Sequence, residues 1–491
     1  MRKLLCCLVV FATLMANPIA NAQTNVKWDL RRCVEYALTN NVSVRQADIQ
    51  ARLSAITLKQ SRLQQIPSLN FSGNHGFSFG RSLDYTTNTY TDNNSMYQRL
   101  GLNTEVNLFN WNSQKNTIKS NDYNYQADAA AVDKAKNDIA LNVARQYLLV
   151  LLDMEQAEVT GIQLKQSQAQ YQNTRKQVDA GALPELNAAE LEAQVARDSA
   201  NLITAQTQIE VDKLTLKALI NLPADAVFEL DVPPVEQIPV DNILEISPAT
   251  IYDLAIRSQP QIRVNNLRLQ AAQKNYEAAR GRQYPTISLF GQLNSNYNTF
   301  LKGAEIKDLG YLPNNIPNAE VFTLSGTGRN YVYTKQYQEY PFQKSFSQLW
   351  NGYGTLLKNN FGQGIGIGLS IPIFNGWSAR ANIERAKWDI KSKELVIEQD
   401  TLQLKQDVYT AFNQALGSFH TFNARQKEVA TAERSFDLAS KRYDIGAMQT
   451  IEWLTNQSNL YNARINTLIA QYDYVFKMKV LEFYKGQGIR L

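Results

Sequence analysis

The chain is written twice, and that limits its fold more than any other feature, because a duplicated unit builds the same local structure in both halves. Ala37-Leu38 opens a stretch reaching Pro67-Ser68-Leu69, and Ala255-Ile256 opens one reaching Pro285-Thr286-Ile287. The Ala-to-Pro spacing is identical in the two (67 − 37 = 285 − 255). Arg45 and Arg62 recur as Arg263 and Arg280 at the same offset of 218 (263 − 45). Further on, Leu108-Phe109-Asn110 is echoed by Ile373-Phe374-Asn375, and Val178-Asp179-Ala180-Gly181-Ala182 by Tyr443-Asp444-Ile445-Gly446-Ala447. Phe and Gly are equally far apart in both copies (181 − 109 = 446 − 374). The offset there is 265 (374 − 109), so 47 extra residues (265 − 218) enter at one place, between the Pro and Phe-Asn anchors.

Each unit reads as helix, strand, loop, strand, very long helix, tight turn and helix. From Ser113 to Asp179 the only Gly is Gly161 and there is no Pro; from Ser378 to Ile445 the only Gly is Gly417. Runs of that length, about 100 Å at 1.5 Å per residue, exceed a globular domain and read as coiled-coil helices. Their seam is mixed: Ile139, Val143, Gln146, Val150 and Asp153 keep heptad spacing, yet two of the five are polar. A hollow assembly, with one face on neighbours and one on water, accounts for that mixture; a solid coiled coil or filament is the plainer alternative. Gly181-Ala182-Leu183-Pro184 and Gly446-Ala447-Met448 close the two long helices, Gly supplying the left-handed conformation of a helix end. Apolar residues at such tips suggest docking surfaces, the alternative being simple turns.

The strands carry the period of two. Leu69, Phe71, Phe77 and Phe79 oppose Ser68, Asn70, Ser72, Asn74 and Ser78, and Leu100, Leu102, Val106 and Leu108 oppose Arg99, Asn103, Glu105 and Asn107. In the second copy Ile287, Leu289 and Leu293 oppose Ser288, Gln292 and Asn294, with Phe290 as the exception. The last strand sets Ile365, Ile367, Leu369, Ile371 and Ile373 against Gly364, Gly366, Gly368 and Ser370. This alternation fits a soluble sandwich or a transmembrane barrel. Strand length, charges on the polar face, and Trp111, Trp350 and Trp377 near strand ends, where an interfacial belt sits, favour the barrel. Four strands cannot close, and open edges in lipid cost several kcal/mol per unsatisfied group. The expectation is a mixed α and β fold: four strands from each of three protomers in a 12-stranded transmembrane barrel, continued by long coiled-coil helices.

Arg2 and Lys3 before the apolar run Leu4 to Met15, then Ala20-Asn21-Ala22, read as a secretory signal over residues 1–22 rather than a span. Cys6 and Cys7 lie inside that run, so no lipid anchor is implied, and the mature chain keeps only Cys33. With one Cys and two distant histidines, His75 and His420, neither a disulfide nor a soft-metal site is expected. The net charge of +5 falls to +3 without Arg2 and Lys3, too small and too evenly spread to imply nucleic acid. No nucleophile–base pair or phosphate loop is present, since Gly362-Gln363-Gly364 lies in a strand; enzyme and cofactor chemistry are not expected. The expected divisions are a first repeat over 23–230, a linker over 231–248 and a second repeat over 249–491, with a long aromatic loop at about 298–360.

The duplicated plan, Ile371-Pro372-Ile373-Phe374-Asn375-Gly376 and Arg442-Tyr443-Asp444-Ile445-Gly446 together resemble the TolC family of outer-membrane efflux proteins, from about Leu30 to Leu481. The resemblance implies a homotrimer with its barrel in outer-membrane lipid and a helical tunnel through the periplasm. Its partners would be a periplasmic adaptor and an inner-membrane transporter, and its role passive export of small molecules. Protein or peptide secretion through the same architecture is the alternative, with a coiled-coil surface protein behind it. Family members narrow the tunnel with acidic residues six and nine positions beyond the second tip glycine. Those positions hold Glu452, which fits, and Thr455, which departs and puts a doubled acidic ring in doubt. Tyr443 matches a gate-tethering Tyr; packing between helices is the alternative for it. The resemblance places the 298–360 loop outside the cell, and Val232-Pro233-Pro234 to Pro248 in a crossover linker. Residues Gly181, Ala182 and Leu183, with Gly446, Ala447 and Met448, are the expected docking tips.

Overall fold

In a computed structural model the described residues are 27–84, 89–92, 94–232, 238, 241–313, 315–316, 319–320, 322–325, 328–331 and 333–487. The signal segment and Pro233-Pro234 lie outside them, as do the side chains of Tyr331 and Tyr333. The described helices are α1 (Leu30–Asn40), α2 (Val42–Leu63), α3 (Ser113–Asp179), α4 (Glu185–Ile220), α5 (Pro248–Ser258), α6 (Pro260–Gly281), α7 (Tyr353–Asn359), α8 (Ser378–Asp444) and α9 (Thr450–Tyr484). The strands are β1 (Ser68–Ser78), β2 (Arg81–Asp84), β3 (Thr89–Asp92), β4 (Ser95–Phe109), β5 (Thr286–Phe300), β6 (Lys302–Pro313), the short β7 to β10 between 315 and 331, β11 (Tyr333–Gln343) and β12 (Gly362–Ser370).

Both long helices, α3 and α8, number 67 residues. The expected single helix before each first strand is a broken pair. The breaks fall at Asn41 (ψ 134°) and Gln259 (ψ 122°), again 218 apart (259 − 41), and each residue still donates its N–H to an Ala carbonyl, Ala37 or Ala255, at 2.8 Å. Pro260 forces the second break, since the residue before proline avoids the helical region. At the first, Asn41 Oδ1 accepts the Ser43 N–H at 2.8 Å and caps the next helix.

The chain forms two compact units, one holding residues up to Thr57, Ser120–Gln273 and Lys387 onward, the other Leu58–Lys119 and Lys274–Ala386. The first unit is helical. Its main core joins Cys33 and Ala37 of α1, Val143, Tyr147 and Leu151 of α3, Leu216 and Ile220 of α4, and Val475 of α9. A second core joins Ile251 and Ala255 of α5 to Val408 and Ala415 of α8 and Met478 of α9. Of the linker, Ile238 is buried in the first core and Ile243 in the second.

The second unit is built on a sheet of order β1-β4-β5-β12, antiparallel throughout. Register gathers the apolar residues on one face: Phe71, Leu102 and Leu293 form one rung, and Val106, Leu289 and Ile367 another. That face is bare, with Phe71, Ile365 and Ile367 71%, 81% and 70% exposed, where a soluble sandwich would bury them. The other face carries rungs such as Asn70, Asn103, Gln292 and Gly364. Phe290, the exception in the pattern, does lie on this polar face. It pairs with Gly366, where a Cβ would come within 2.6 Å of its Cζ, so the glycine row of β12 makes room for the ring.

Two expectations about the strands are corrected. A bulge between Asn107 and Phe109 pairs Phe109, not Leu108, with Ile287, because one extra residue reverses the alternation. The last strand stops at Ser370, before Ile371 and Ile373, since Pro372 has no N–H to give to a ladder. The long loop is also structured: β5 runs through Asn298 to Phe300, and β6 and β11 form a ribbon. The chain then folds back, and Leu349 packs on Met96 and Tyr297 of the sheet.

Candidate functional site

The two hairpin tips in the helical unit share one geometry. Gly181 and Gly446 stand at φ 74° and 75°. The N–H of Ala182 reaches Gln177 O at 2.8 Å and that of Gly181 reaches Val178 O at 2.8 Å; Ala447 to Arg442 and Gly446 to Tyr443 repeat the pattern at 2.9 Å each. These paired bonds satisfy the last carbonyls of α3 and α8, and the left-handed residue they require favours glycine. The returning helices end alike, at left-handed Asn221 and Gly486, each equally far beyond its tip glycine (221 − 181 = 486 − 446).

Inside the tips lies a cluster of Leu191, Trp453 and Leu454, with Tyr171, Phe436, Tyr443 and Met448 packed against it. The Tyr443 ring stacks on Trp453 at 5.3 Å, and its hydroxyl lies 3.3 Å from Thr450 Oγ1 and 3.5 Å from Thr174 Oγ1. Tyr443 therefore joins α8 to the start of α9 and to α3. Glu452 and Thr455 sit one turn apart on the exposed side of α9, opposite Trp453 and Leu454. Glu452 lies in the first turn of α9, where a negative charge also suits the helix dipole. With Lys176, Glu190, Arg442 and Asp444 it lines a cleft of about 1180 Å³ between the tips.

Gly181, Ala182, Gly446 and Ala447 are exposed, but Leu183 and Met448 are half-buried. The large apolar residues that protrude are Leu186, Ile445 and Ile451, at 66%, 79% and 53% exposure. Leu186 and Ile451 are equivalent in the repeat (451 − 186 = 265), a signal available in the sequence once the helix start is placed.

Of the three tryptophans, Trp111 and Trp377 occupy the strand-to-helix passages. Trp111 and Asn112 have φ 51° and 58°, and Gly376 and Trp377 have 60° and 65°, two consecutive left-handed residues in each copy. Trp111 packs on Tyr284 at 4.9 Å and Phe109 at 5.3 Å. Trp350 sits at the other end of the sheet in a 3₁₀ turn, stacked on His75 at 5.6 Å.

The polar residues of the α3 seam converge on one carboxylate. Gln146 Nε2 donates to Asp212 Oδ1 at 3.0 Å, and Gln208 Nε2 to Asp212 Oδ2 at 2.6 Å. Asp153 shares a hydrogen bond with Asp212. Burial, then that bond and the neighbouring charge, push Asp153 up to about 7. Burial works against the Asp212 charge, but bonds from Asp153, Gln208 and Gln146 outweigh it and hold its carboxyl below the usual range. Nearer the tips Ser167 donates to Asp198 at 2.5 Å, with Gln457 3.5 Å from the same hydroxyl. Burial pushes the Cys33 thiol up to about 12, so it stays protonated and inert. Among the described residues no three of His, Cys, Asp or Glu gather at metal spacing.

No described helix is long and apolar enough to cross a membrane; the sheet carries a bare apolar face. An antiparallel sheet with one apolar and one polar face, joined to helical hairpins whose first helices number 67 residues, defines a channel subunit of the barrel-and-helix class. The family model for "Outer membrane efflux protein" matches residues 33–222 and 345–486, and the chain belongs to that family. It is an outer-membrane efflux channel with a periplasmic helical extension, a transport protein and not an enzyme. Toxin and drug export protein A of Aggregatibacter actinomycetemcomitans is 21% identical over 454 residues, covering 91% of this chain and 83% of the relative. The outer-membrane channel OprN has a similar fold, with a TM-score of 0.70 at 17% identity over 94% of this chain and 90% of that one. The outer membrane protein VceC of Vibrio cholerae matches at 0.69 and 16%, over 93% and 96%.

Proposed function

We propose that three copies close a 12-stranded barrel and that the trimer is the exit duct of a tripartite system, passing small molecules delivered by an inner-membrane transporter through a periplasmic adaptor. The observation that carries this reading is the sheet: β1 and β12 are its edges, and a bare apolar face in lipid cannot keep open edges. Pairing β1 of one copy with β12 of the next removes them all. In this reading Glu452 carboxylates from three copies ring the inner mouth and favour cations, Tyr443 holds the tip helices together at rest, and the tips dock the adaptor. The domain reading follows: repeats over 23–230 and 249–491, joined by the 231–248 linker, after a signal over 1–22.

The test is in-cell photocrosslinking from Leu183 and Met448, and from the more exposed Leu186 and Ile451, with native mass spectrometry of the purified channel. Three-copy masses and capture of an adaptor with an inner-membrane transporter are expected. Monomers, or capture of extracellular proteins only, would overturn the duct. The transporter's class also separates small-molecule cargo from proteins, a distinction raised by a relative whose name joins toxin and drug export.

A further inference from the structure

The apolar face of the sheet becomes mixed toward its outer end. Below the rung of Gly73, Leu100 and Ser295 it carries Phe71, Leu102, Leu289 and Ile367; above it His75, Gln98, Tyr297 and Thr299 join Phe77 and Met96. The segment 344–361 folds onto that upper part. Ser295 Oγ donates to Leu357 O at 2.6 Å, Tyr353 OH to Gln98 Oε1 at 2.8 Å and Lys344 Nζ to Thr299 Oγ1 at 2.8 Å. Every one of these sheet residues lies on the face that bears Phe71 and Ile367, so the segment sits on the outside of the barrel wall.

The bare band beneath it fits a bilayer. From Leu100 to Phe109 the strand climbs about 30 Å, which at a barrel tilt of about 40° is close to the ~25 Å apolar band of such barrels. The segment thus begins where hydrocarbon ends. Its composition suits that depth. Leu349 faces the sheet, while Phe346, Phe361 and Trp350 are 70%, 54% and 37% exposed. Residues 344–361 contain Lys344 and Lys358 and no Asp or Glu. Amphipathic rings settle at headgroup level, and lysines there are drawn to lipid phosphate.

We propose that residues 344–361 form an interfacial collar that seats the outer rim of the barrel on the anionic headgroup layer of the outer leaflet. The partner is the lipid surface, recognised by the Phe346, Trp350 and Phe361 rings and by Lys344 and Lys358. This rests on the reading that the sheet's apolar face meets lipid.

The test places an environment-sensitive fluorophore on the full channel at Phe346→Cys, Phe361→Cys, Ile367→Cys or Tyr337→Cys, in vesicles of phosphatidylcholine with phosphatidylglycerol; buried Cys33 does not compete for label. Probes at 346 and 361 are expected to shift to the blue and to be quenched by lipid brominated near the headgroup. The probe at 367 should respond to lipid brominated deep in the chain, and that at 337, on the exposed ribbon, only to aqueous iodide. Lys358→Glu should reduce shallow quenching at 346 and 361. Iodide quenching of 346 and 361 equal to that of 337, with 367 still in lipid, would overturn the collar alone. Iodide access at 367 would overturn the barrel reading beneath it, and quenching indifferent to both phosphatidylglycerol and Lys358→Glu would remove the anionic partner.

Discussion

Asp153 of α3 and Asp212 of α4 are both buried in the first helical hairpin, where burial and the neighbouring Asp212 carboxyl favour the protonated form of Asp153. Asp153, raised from 3.8 to about 7, binds its proton more tightly folded than unfolded. It therefore adds stability below its unfolded value that is lost as pH rises through about 7. Asp212 is lowered, so its contribution is present above the unfolded value and lost only in stronger acid. Between about pH 4 and 7 the contribution of Asp153 therefore falls as pH rises. Asp153→Asn removes that slope while keeping a donor toward Asp212. At pH 8 the variant is expected to be more stable by roughly 1–3 kcal/mol. Thermal melts at pH 5 and pH 8 check this; an unchanged slope in the variant would refute the raised Asp153.

Gly366 leaves no room for a side chain under Phe290. Gly366→Val forces the ring off its site, an overpacking cost of about 1–3 kcal/mol, and should reduce the yield of heat-modifiable assembled channel. Phe290→Ala combined with Gly366→Val should restore it. A double variant no better than the single one would show that the crowding lies elsewhere.

Glu452 is exposed on the tip helix. If three Glu452 carboxylates ring the inner mouth as proposed, Glu452→Gln should lower cation preference and weaken block by trivalent cations in planar bilayers. Thr455→Asp, restoring a second acidic position, should strengthen both. Equal reversal potentials for all three proteins would place Glu452 away from the permeation path.

The Tyr443 hydroxyl ties Thr450 to its own helix, with Thr174 at the limit of bonding. Tyr443→Phe keeps the ring on Trp453 and removes a net ~1 kcal/mol hydrogen bond. Resting conductance should rise about fivefold if that bond holds the mouth shut, and single-channel recording at constant voltage reads it directly.

Leu186 and Ile451 project from equivalent positions of the two tips. Changing either to Glu is expected to weaken adaptor capture by about tenfold, as loss of an apolar anchor does at an interface. Leu183→Ala, from a half-buried site, should act less on capture than on melting temperature. Pull-down titration with each variant separates the two.

Much of this architecture is legible in the sequence. Ser113–Asp179 stood out as a helix because nothing interrupts it except Gly161, and the strand faces followed from strict alternation. The bulge at Asn107/Phe109 was hidden, because Leu108 and Phe109 are both apolar and either completes the row. The break at Asn41 has no proline to announce it, unlike the one at Gln259. Left-handed Trp111 and Asn112 carried no glycine to mark them; only their counterpart Gly376 hinted at the turn. At the tips, residue type named Leu183 and Met448, but packing against the Trp453 cluster decides what protrudes, and packing is not written in type. Gln146 and Asp153 looked like gaps in an apolar seam, and their shared target, Asp212, lies on another helix.

The matched lengths of the hairpins have one more consequence. Each long helix has 67 residues, and each return helix reaches its left-handed stop at the same remove from the glycine (221 − 181 = 486 − 446). One residue added to a single hairpin would lift its end by about 1.5 Å and swing its facing residues by about 100°. Length is therefore a shared property of the two halves. A change in length of one hairpin is matched only by an equal change at the same height in the other, most readily in steps of about seven residues, which return the helix to within some 20° of its starting face.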